Sequence, residues 1–213
     1  MTILVEAGSP VKQTRAGRKI EQILSGATEV FMEQGFEGAS VDEIAAAARV
    51  SKATLYSYFP DKRGLFSHVI ATECARQANM AFDLSDASDA PEIVLERAAA
   101  HLMTFLLSPF GLQIYRLCLG EAARFPELGQ TFYDSGPALA RRRLRAYLEV
   151  AKADGRLCIQ EEELDVASDQ FAQLCKNDLF YRMILGIEKK ASRKDILIAA
   201  KKTIDLFMAK YGP

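Results

Sequence analysis

Only four of the 213 residues are cysteine, Cys74, Cys118, Cys158 and Cys175, and they lie far apart without a CxxC pair or a histidine at metal-ligand spacing. That excludes a zinc site and a small-domain disulfide framework, so free thiols acting as small hydrophobes are expected, with no metal and no cofactor. No apolar run approaches the roughly 18 residues of a membrane span. The opening MTILVEAGSP has no basic segment ahead of a long apolar stretch. A cytoplasmic protein without a membrane partner is therefore expected. Alternating β-branched runs and Gly-rich phosphate loops are also missing, which argues against parallel-sheet nucleotide folds. Nor is there a surplus of positive charge: 27 Lys and Arg stand against 28 Asp and Glu, for a formal net charge of −1. Any contact with nucleic acid must be local.

What is present is helical periodicity in a chain that is 49% apolar and 26% charged, long enough to bury a sizeable core. Residues 1–14 show no period and read as a loose N-terminal arm whose Lys12, with Arg15, Arg18 and Lys19, makes the approach basic. From Ile20 the apolar positions Ile23, Leu24, Ala27, Val30 and Phe31 predict a helix ending near Gly35. Ser40-Val41-Asp42-Glu43 has the capping-box form, in which serine accepts the N3 amide and glutamate reaches back. After Arg49-Val50-Ser51 a short third helix carries Leu55 and Phe59 inward until Pro60 ends it, since proline donates no amide and forces its predecessor out of the helical region. A long helix is expected from Asp61 to about Leu84, then a linker over 85–90. Further helices are punctuated by Pro91, Pro109, Pro126, Gly136-Pro137 and Asp154-Gly155, and the last two are expected over Leu164 to Ile187 and Arg193 to Tyr211. The fold class is all-α, with nine or ten helices.

Helix two, a three-residue turn and helix three have helix-turn-helix spacing, with Ile44, Ala45, Val50, Leu55 and Phe59 as a small core. Ser51, Lys52, Ala53, Thr54, Tyr56, Ser57 and Tyr58 remain as a hydroxyl-rich outer face suited to a major groove. Lys62, at the start of the next helix, is placed to meet a phosphate. A purely structural helix pair would show the same packing pattern.

The stretches Ile23 to Phe31, Gly35, Ser40 to Ala45 and Val50 to Lys62, ending in TLYSYFPDK, together resemble the DNA-binding domain of the TetR family over about fifty residues. The resemblance implies that Lys52, Ala53 and Thr54 present to bases or adjacent phosphates. It further implies that Tyr56 and Tyr58 contact backbone or bases, and that Ser40 and Lys62 anchor phosphates. Two residues depart from the family's usual wording: Arg49 stands where glycine is usual in the turn, and Ser40 where threonine is usual. If the turn needs a positive φ, arginine costs on the order of 1 kcal/mol. The domains expected are the arm at 1–14, the helix-turn-helix domain at 15–62, and a ligand-binding and dimerisation domain at 63–213.

Phe125-Pro126-Glu127-Leu128, Phe132-Tyr133 and Gly136-Pro137 resemble the C-terminal domain of the AefR-like subgroup. Apolar stripes formed by Phe180 and Ile184 on one helix, and by Ile196, Ala200, Ile204, Phe207 and Tyr211 on the next, suit either a homodimer interface or an intramolecular core. An operator reader needs a two-fold partner, which favours the interface. His101, Phe105, Cys118, Glu121, Phe125, Asn177, Asp178 and Tyr181 are candidate effector contacts, because polar groups interrupting apolar helices need a partner, which another helix or water would equally supply. The run Arg141, Arg142, Arg143 and Arg145 is offset by Glu161, Glu162, Glu163 and Asp165 and reads as a solvated face. The function expected is a DNA-binding transcriptional regulator, not an enzyme: a repressor released from double-stranded operator DNA by a small apolar or aromatic effector. The rival reading is a helical small-molecule-binding protein or enzyme with a vestigial DNA-binding domain.

Overall fold

In the computed structural model, residues 15–81 and 89–213 are described. The expected arm at 1–14 and residues 82–88, which hold the expected end of the fourth helix and most of the linker, lie outside them. Among the described residues every regular element is helical: α1 (Arg15–Gly38), α2 (Val41–Ala47), α3 (Lys52–Tyr58), α4 (Lys62–Ala81), α5 (Pro91–Leu106), α6 (Pro109–Glu121), α7 (Pro126–Ser135), α8 (Pro137–Ala153), α9 (Leu164–Cys175), α10 (Asp178–Ile184) and α11 (Arg193–Tyr211), with a 3-10 turn at Glu161–Glu163. Proline opens α5, α6, α7 and α8 at the first helical position, where its missing amide costs nothing. The chain divides into two compact units at Val69/Ile70, within α4.

In the first unit, Ile23, Ala27, Val30 and Phe31 of α1, Ile44 and Ala45 of α2, Leu55 and Phe59 beside them, and Leu65 and Phe66 of α4 are all buried. Phe31 meets Phe66 edge-on at 4.7 Å between ring centroids. The α1 helix breaks at Gly35, whose φ of 75° is left-handed, which is where the sequence predicts the helix to end.

The second unit is built on one core. Leu95, Ala99 and Met103 of α5, Leu144, Tyr147 and Leu148 of α8, Leu164, Ala167 and Phe171 of α9, and Ala200, Ile204, Phe207 and Tyr211 of α11 share it. This corrects the expected interface. Phe180, Ile196, Ala200, Ile204, Phe207 and Tyr211 are 0–8% exposed within a single chain, and Ile184 packs partly buried against the same core. The stripe is intramolecular. Because burying each large side chain contributes about 1.5–3 kcal/mol to folding, these positions belong to the monomer's stability. The opposite faces are the exposed ones: Tyr181, Leu185 and Ile187 at and after α10, and Leu197, Ile198 and Leu206 on α11.

A second correction concerns the expected helix from Leu164 to Ile187. It is two helices, broken at Lys176, because the Asn177 side chain accepts the Leu179 amide at 3.1 Å and starts α10 afresh. The far end of α10 is closed by Arg116 of α6, which donates to the carbonyls of Ile184 and Met183, both at 2.8 Å. The basic run of α8 meets the acidic stretch through Arg145, which pairs with Asp165 at 3.2 Å and Glu161 at 3.7 Å as well as with Glu149 on its own helix, while Arg141 pairs at 3.0 Å with Asp169, beyond that stretch.

Candidate nucleic-acid interface

The α2–turn–α3 segment is fixed from both ends. Ser40 caps α2, its hydroxyl accepting the Glu43 amide at 3.2 Å and donating to the Glu43 carboxylate at 2.6 Å, while Glu43 takes the Ser40 amide at 3.1 Å. Hydrogen bonds from the Ser40 side chain, then Gln34, hold the Glu43 pKa below the ordinary glutamate value. The turn carries Arg49 at φ 51°, so the positive φ suspected from the family's usual glycine is present, with its strain on the order of 1 kcal/mol. A clamp that sequence reasoning missed compensates: Gln22 of α1 donates from Nε2 to the Ala48 carbonyl at 2.6 Å. One turn further along α1, Gly26 lies so close to the end of α2 that an added Cβ would overlap the Ala48 amide nitrogen and stand 2.7 Å from Ala48 Cα. No local pattern in the sequence signals a contact between residues 22 and 48.

On α3, Ser51 caps the helix by accepting the Thr54 amide at 3.0 Å. The Ser51 and Thr54 hydroxyls bond each other at 2.8 Å, and Ser57 donates to the Thr54 carbonyl at 2.6 Å. Leu55 and Phe59 face the core. Lys52, Ala53 and Tyr56 stand in solvent, whereas Thr54 and Tyr58 are half-buried. Lys52 is paired with Asp42 of α2, Nζ to Oδ1 2.9 Å, and that hydrogen bond and charge raise the lysine above its ordinary pKa.

Lys62 has intramolecular partners that its sequence position does not announce. Its ammonium donates to the carbonyls of Ala39 at 3.0 Å and Glu37 at 3.4 Å, and lies 4.7 Å from the centre of the Phe36 ring. The start of α4 is served by the Asp61 carboxylate, which accepts the Gly64 amide at 2.7 Å. Because carbonyls just after the Gly35 break lack helical donors and the lysine supplies them, its first role is to join the end of α1 to the start of α4. A phosphate would have to share it.

The candidate effector residues do not share one environment. His101 of α5 is half-buried and bonds Gln77 Oε1 of α4 at 2.9 Å, which places its proton on Nε2. Gln77 in turn donates to Glu73 at 2.6 Å, and Glu73 is chelated by Arg76 at 2.6 and 2.8 Å. Burial, then the nearby Arg76 charge, push the His101 pKa below the ordinary histidine value. Burial works against the Glu73 carboxylate, but the bonds from Arg76 and Gln77 prevail and lower its pKa. Phe105 meets Phe110, with ring centroids 6.5 Å apart. Cys118 is buried, its thiol pushed up to about 12 by that burial, and Glu121 and Phe125 are half-buried at the α6–α7 corner. Asn177 is a helix cap and Asp178 an exposed first-turn residue, so their polarity marks a helix boundary; Tyr181 is 54% exposed. Sequence reasoning missed the aromatic group formed by Tyr115 of α6, which stands edge-on to Phe132 of α7 at 5.7 Å and to Phe180 of α10 at 5.2 Å.

Comparison with known proteins agrees with this division. The family model for bacterial regulatory proteins of the tetR family matches residues 23–69, and that for the C-terminal domain of AefR-like transcriptional repressors matches residues 93–213. The HTH-type transcriptional regulator YdeS of Bacillus subtilis is 27% identical over 178 residues, covering 81% of this chain and 84% of that protein. The HTH-type transcriptional repressor NicS of Pseudomonas putida is 31% identical over 99 residues, 45% of each chain. Among solved structures, a TetR-family regulator from Mesorhizobium loti superposes with a TM-score of 0.83 at 26% identity, covering 94% of this chain and all of that one. The flavonoid-responsive regulator FrrA does so at 0.70 and 32% identity, covering 92% and 98%.

Proposed function

The chain belongs to the TetR family of DNA-binding transcriptional regulators, and on that premise we propose that it is a homodimeric repressor released from operator DNA by a small, largely aromatic effector. The observation that carries the DNA-binding half is the outward face of α3: Lys52, Ala53 and Tyr56 stand in solvent on a helix whose opposite side is pinned by buried Leu55 and Phe59. Such a rigid helix presents side chains to base edges at little ordering cost. Ser40, Thr54, Tyr58 and Lys62 make the remaining backbone or base contacts in this reading, with Lys62 sharing its ammonium between α1 carbonyls and a phosphate. The domains follow the observed division, seven residues beyond the 62/63 boundary expected from sequence: the unit ending at Val69 binds DNA, and the unit from Ile70 senses ligand and dimerises.

The two-fold partner is assigned to the exposed faces of α10 and α11, where Tyr181, Leu185, Leu197, Ile198 and Leu206 stand in solvent. The effector is assigned to the second unit among His101, Phe105, Cys118, Glu121 and Phe125, with Gln77 and Tyr115 as additional contacts. In this reading Phe105 and Phe125 supply apolar contacts and His101 and Glu121 polar ones to an aromatic ligand carrying a hydrogen-bonding substituent, and FrrA, of similar length and 32% identical, is itself named for its response to flavonoids. Repression is favoured by the repressor names of AefR-like proteins and NicS.

Selection of genomic fragments by the purified protein, followed by footprinting, tests the reading. A saturable two-fold footprint is expected, and an aromatic effector should weaken it. By linkage, operator DNA must weaken effector binding by the same factor. Absence of any sequence-selective binding would overturn the operator assignment, and DNA affinity unmoved by a broad panel of aromatic compounds would overturn the sensing assignment.

A further inference from the structure

Residues 40–58, which contain the whole helix-turn-helix, carry two carboxylates, Asp42 and Glu43, and two cations, Arg49 and Lys52. Sequence-independent affinity for duplex DNA comes from cations that neutralise phosphates and release counterions. With no surplus of positive charge, one carboxylate counts heavily in this segment. Glu43 is engaged inside the domain, by Ser40 and Gln34. Asp42 is different: it projects from the first turn of α2 into solvent, 74% exposed, and holds Lys52, the only cation of α3, at 2.9 and 3.1 Å through its two oxygens. An exposed pair of this kind contributes little to stability, so the fold does not depend on it. A phosphate approaching Lys52, however, must either displace the carboxylate or sit beside it.

We propose that Asp42 is an internal competitor for DNA phosphate at Lys52, which lowers affinity for duplex of any sequence and leaves discrimination to the outward side chains of α3. This rests on the reading that α3 faces DNA. Displacement leaves an unpaired negative charge next to a phosphate, a penalty that applies to every sequence alike. Because the penalty is common to every sequence, specific and non-specific affinities fall by the same factor and their ratio is unchanged; only a site where base contacts add to the phosphate contacts stays occupied.

The test is a double-mutant cycle with the full chain: wild type, Asp42→Asn, Lys52→Ala and the double variant. Each is titrated against a labelled duplex of random sequence and against a fragment recovered by genomic selection, over a salt series. Circular dichroism confirms that each variant is folded. Asp42→Asn should tighten random-duplex binding roughly two- to thirtyfold at low salt for a dimer with two such pairs, and steepen the salt slope by about 1.8. The selected fragment should tighten by the same factor, leaving the ratio between it and random duplex unchanged, and a gain confined to one of the two would overturn the proposal. In the Lys52→Ala background the gain should largely vanish. Unchanged affinity and slope in Asp42→Asn would overturn the proposal while leaving DNA binding standing. So would an equal gain with Lys52 absent, which would assign the effect to net charge. Failure of the wild type to bind any duplex would instead remove the reading of α3, and this proposal with it.

Discussion

Gly26→Ala should injure the DNA-binding unit although alanine is the better helix former. In isolation the change favours α1 by about 1 kcal/mol. Here the new methyl would overlap the Ala48 amide nitrogen and stand 2.7 Å from Ala48 Cα and 2.9 Å from the Ala47 carbonyl carbon, where ordinary contact begins at 3.4 Å. All three atoms are backbone, so no side chain can turn aside. Relief requires α1 and the end of α2 to separate by several tenths of an ångström, loosening the Gln22 clamp on the Ala48 carbonyl and the buried contacts around Ile23, Ala27 and Ile44. Overpacking of this kind costs about 1–3 kcal/mol. Because all three overlapped atoms are backbone, the cost falls in the upper part of that range, about 2–3 kcal/mol; after the propensity gain the net loss is about 1–2 kcal/mol, or roughly 4–16 °C in the melting temperature of a unit this small. Thermal unfolding followed by circular dichroism checks the number, with Gly120→Ala as control, because a Cβ there meets nothing within 4 Å and should leave stability unchanged or slightly raised. If Gly26→Ala melts at or above the wild-type temperature, the close approach does not constrain the fold and the reasoning fails.

Three other outcomes are expected. Leu206, 62% exposed, and Phe207, 2% exposed, separate the outer face of α11 from the core: Leu206→Glu should dissociate the dimer in sedimentation with helicity retained, while Phe207→Glu should unfold the second unit. An alkylating reagent at neutral pH should label one thiol per native chain, Cys158, because the other three are buried with their thiols pushed up to about 12; denaturation should release those three. The His101 pKa is depressed in the folded chain, so the unfolded chain binds the extra proton first, and stability should fall as pH drops below about 6.5. His101→Gln should flatten that loss in denaturant titrations, while the carboxylates with lowered pKa, such as Glu43 and Asp195, act only below about 4.5; an equally steep loss in the variant would remove His101 as its cause.

The sequence made the helix-turn-helix legible because its signals are local: the Ser40 cap, Leu55 and Phe59 on one face and the Pro60 stop each involve residues a few positions apart. The suspected positive φ at Arg49 could be read from a departure at one position in a familiar pattern. The face of α11 could not, since Leu197, Ile198 and Leu206 are apolar as well as the buried Ile196, Ile204 and Phe207, and periodicity cannot choose between two apolar sides. The intramolecular role of Lys62 is hidden for a related reason. A lysine at a helix start suggests an anion, and only the tertiary fold brings the free carbonyls of Glu37 and Ala39 within its reach. Asn177 and Asp178 looked like polar intrusions in one long helix because capping and intrusion have the same composition; the Leu179 amide distinguishes them.

Helix α10 has a further consequence, one of timing. Seven residues are too few to persist as a helix alone, and its last carbonyls are closed by Arg116, 67 and 68 positions away along the chain. The segment is therefore expected to gain its helical order only with α6 docked against it. In the native state Phe180 and Met183 tie its inner side to the core, so its outward amide hydrogens are the ones expected to exchange early, before the core of α5, α8 and α11 gives way. Its outward Tyr181 and the adjoining Leu185 would then meet a partner subunit from a surface whose order is completed only by the neighbouring helix.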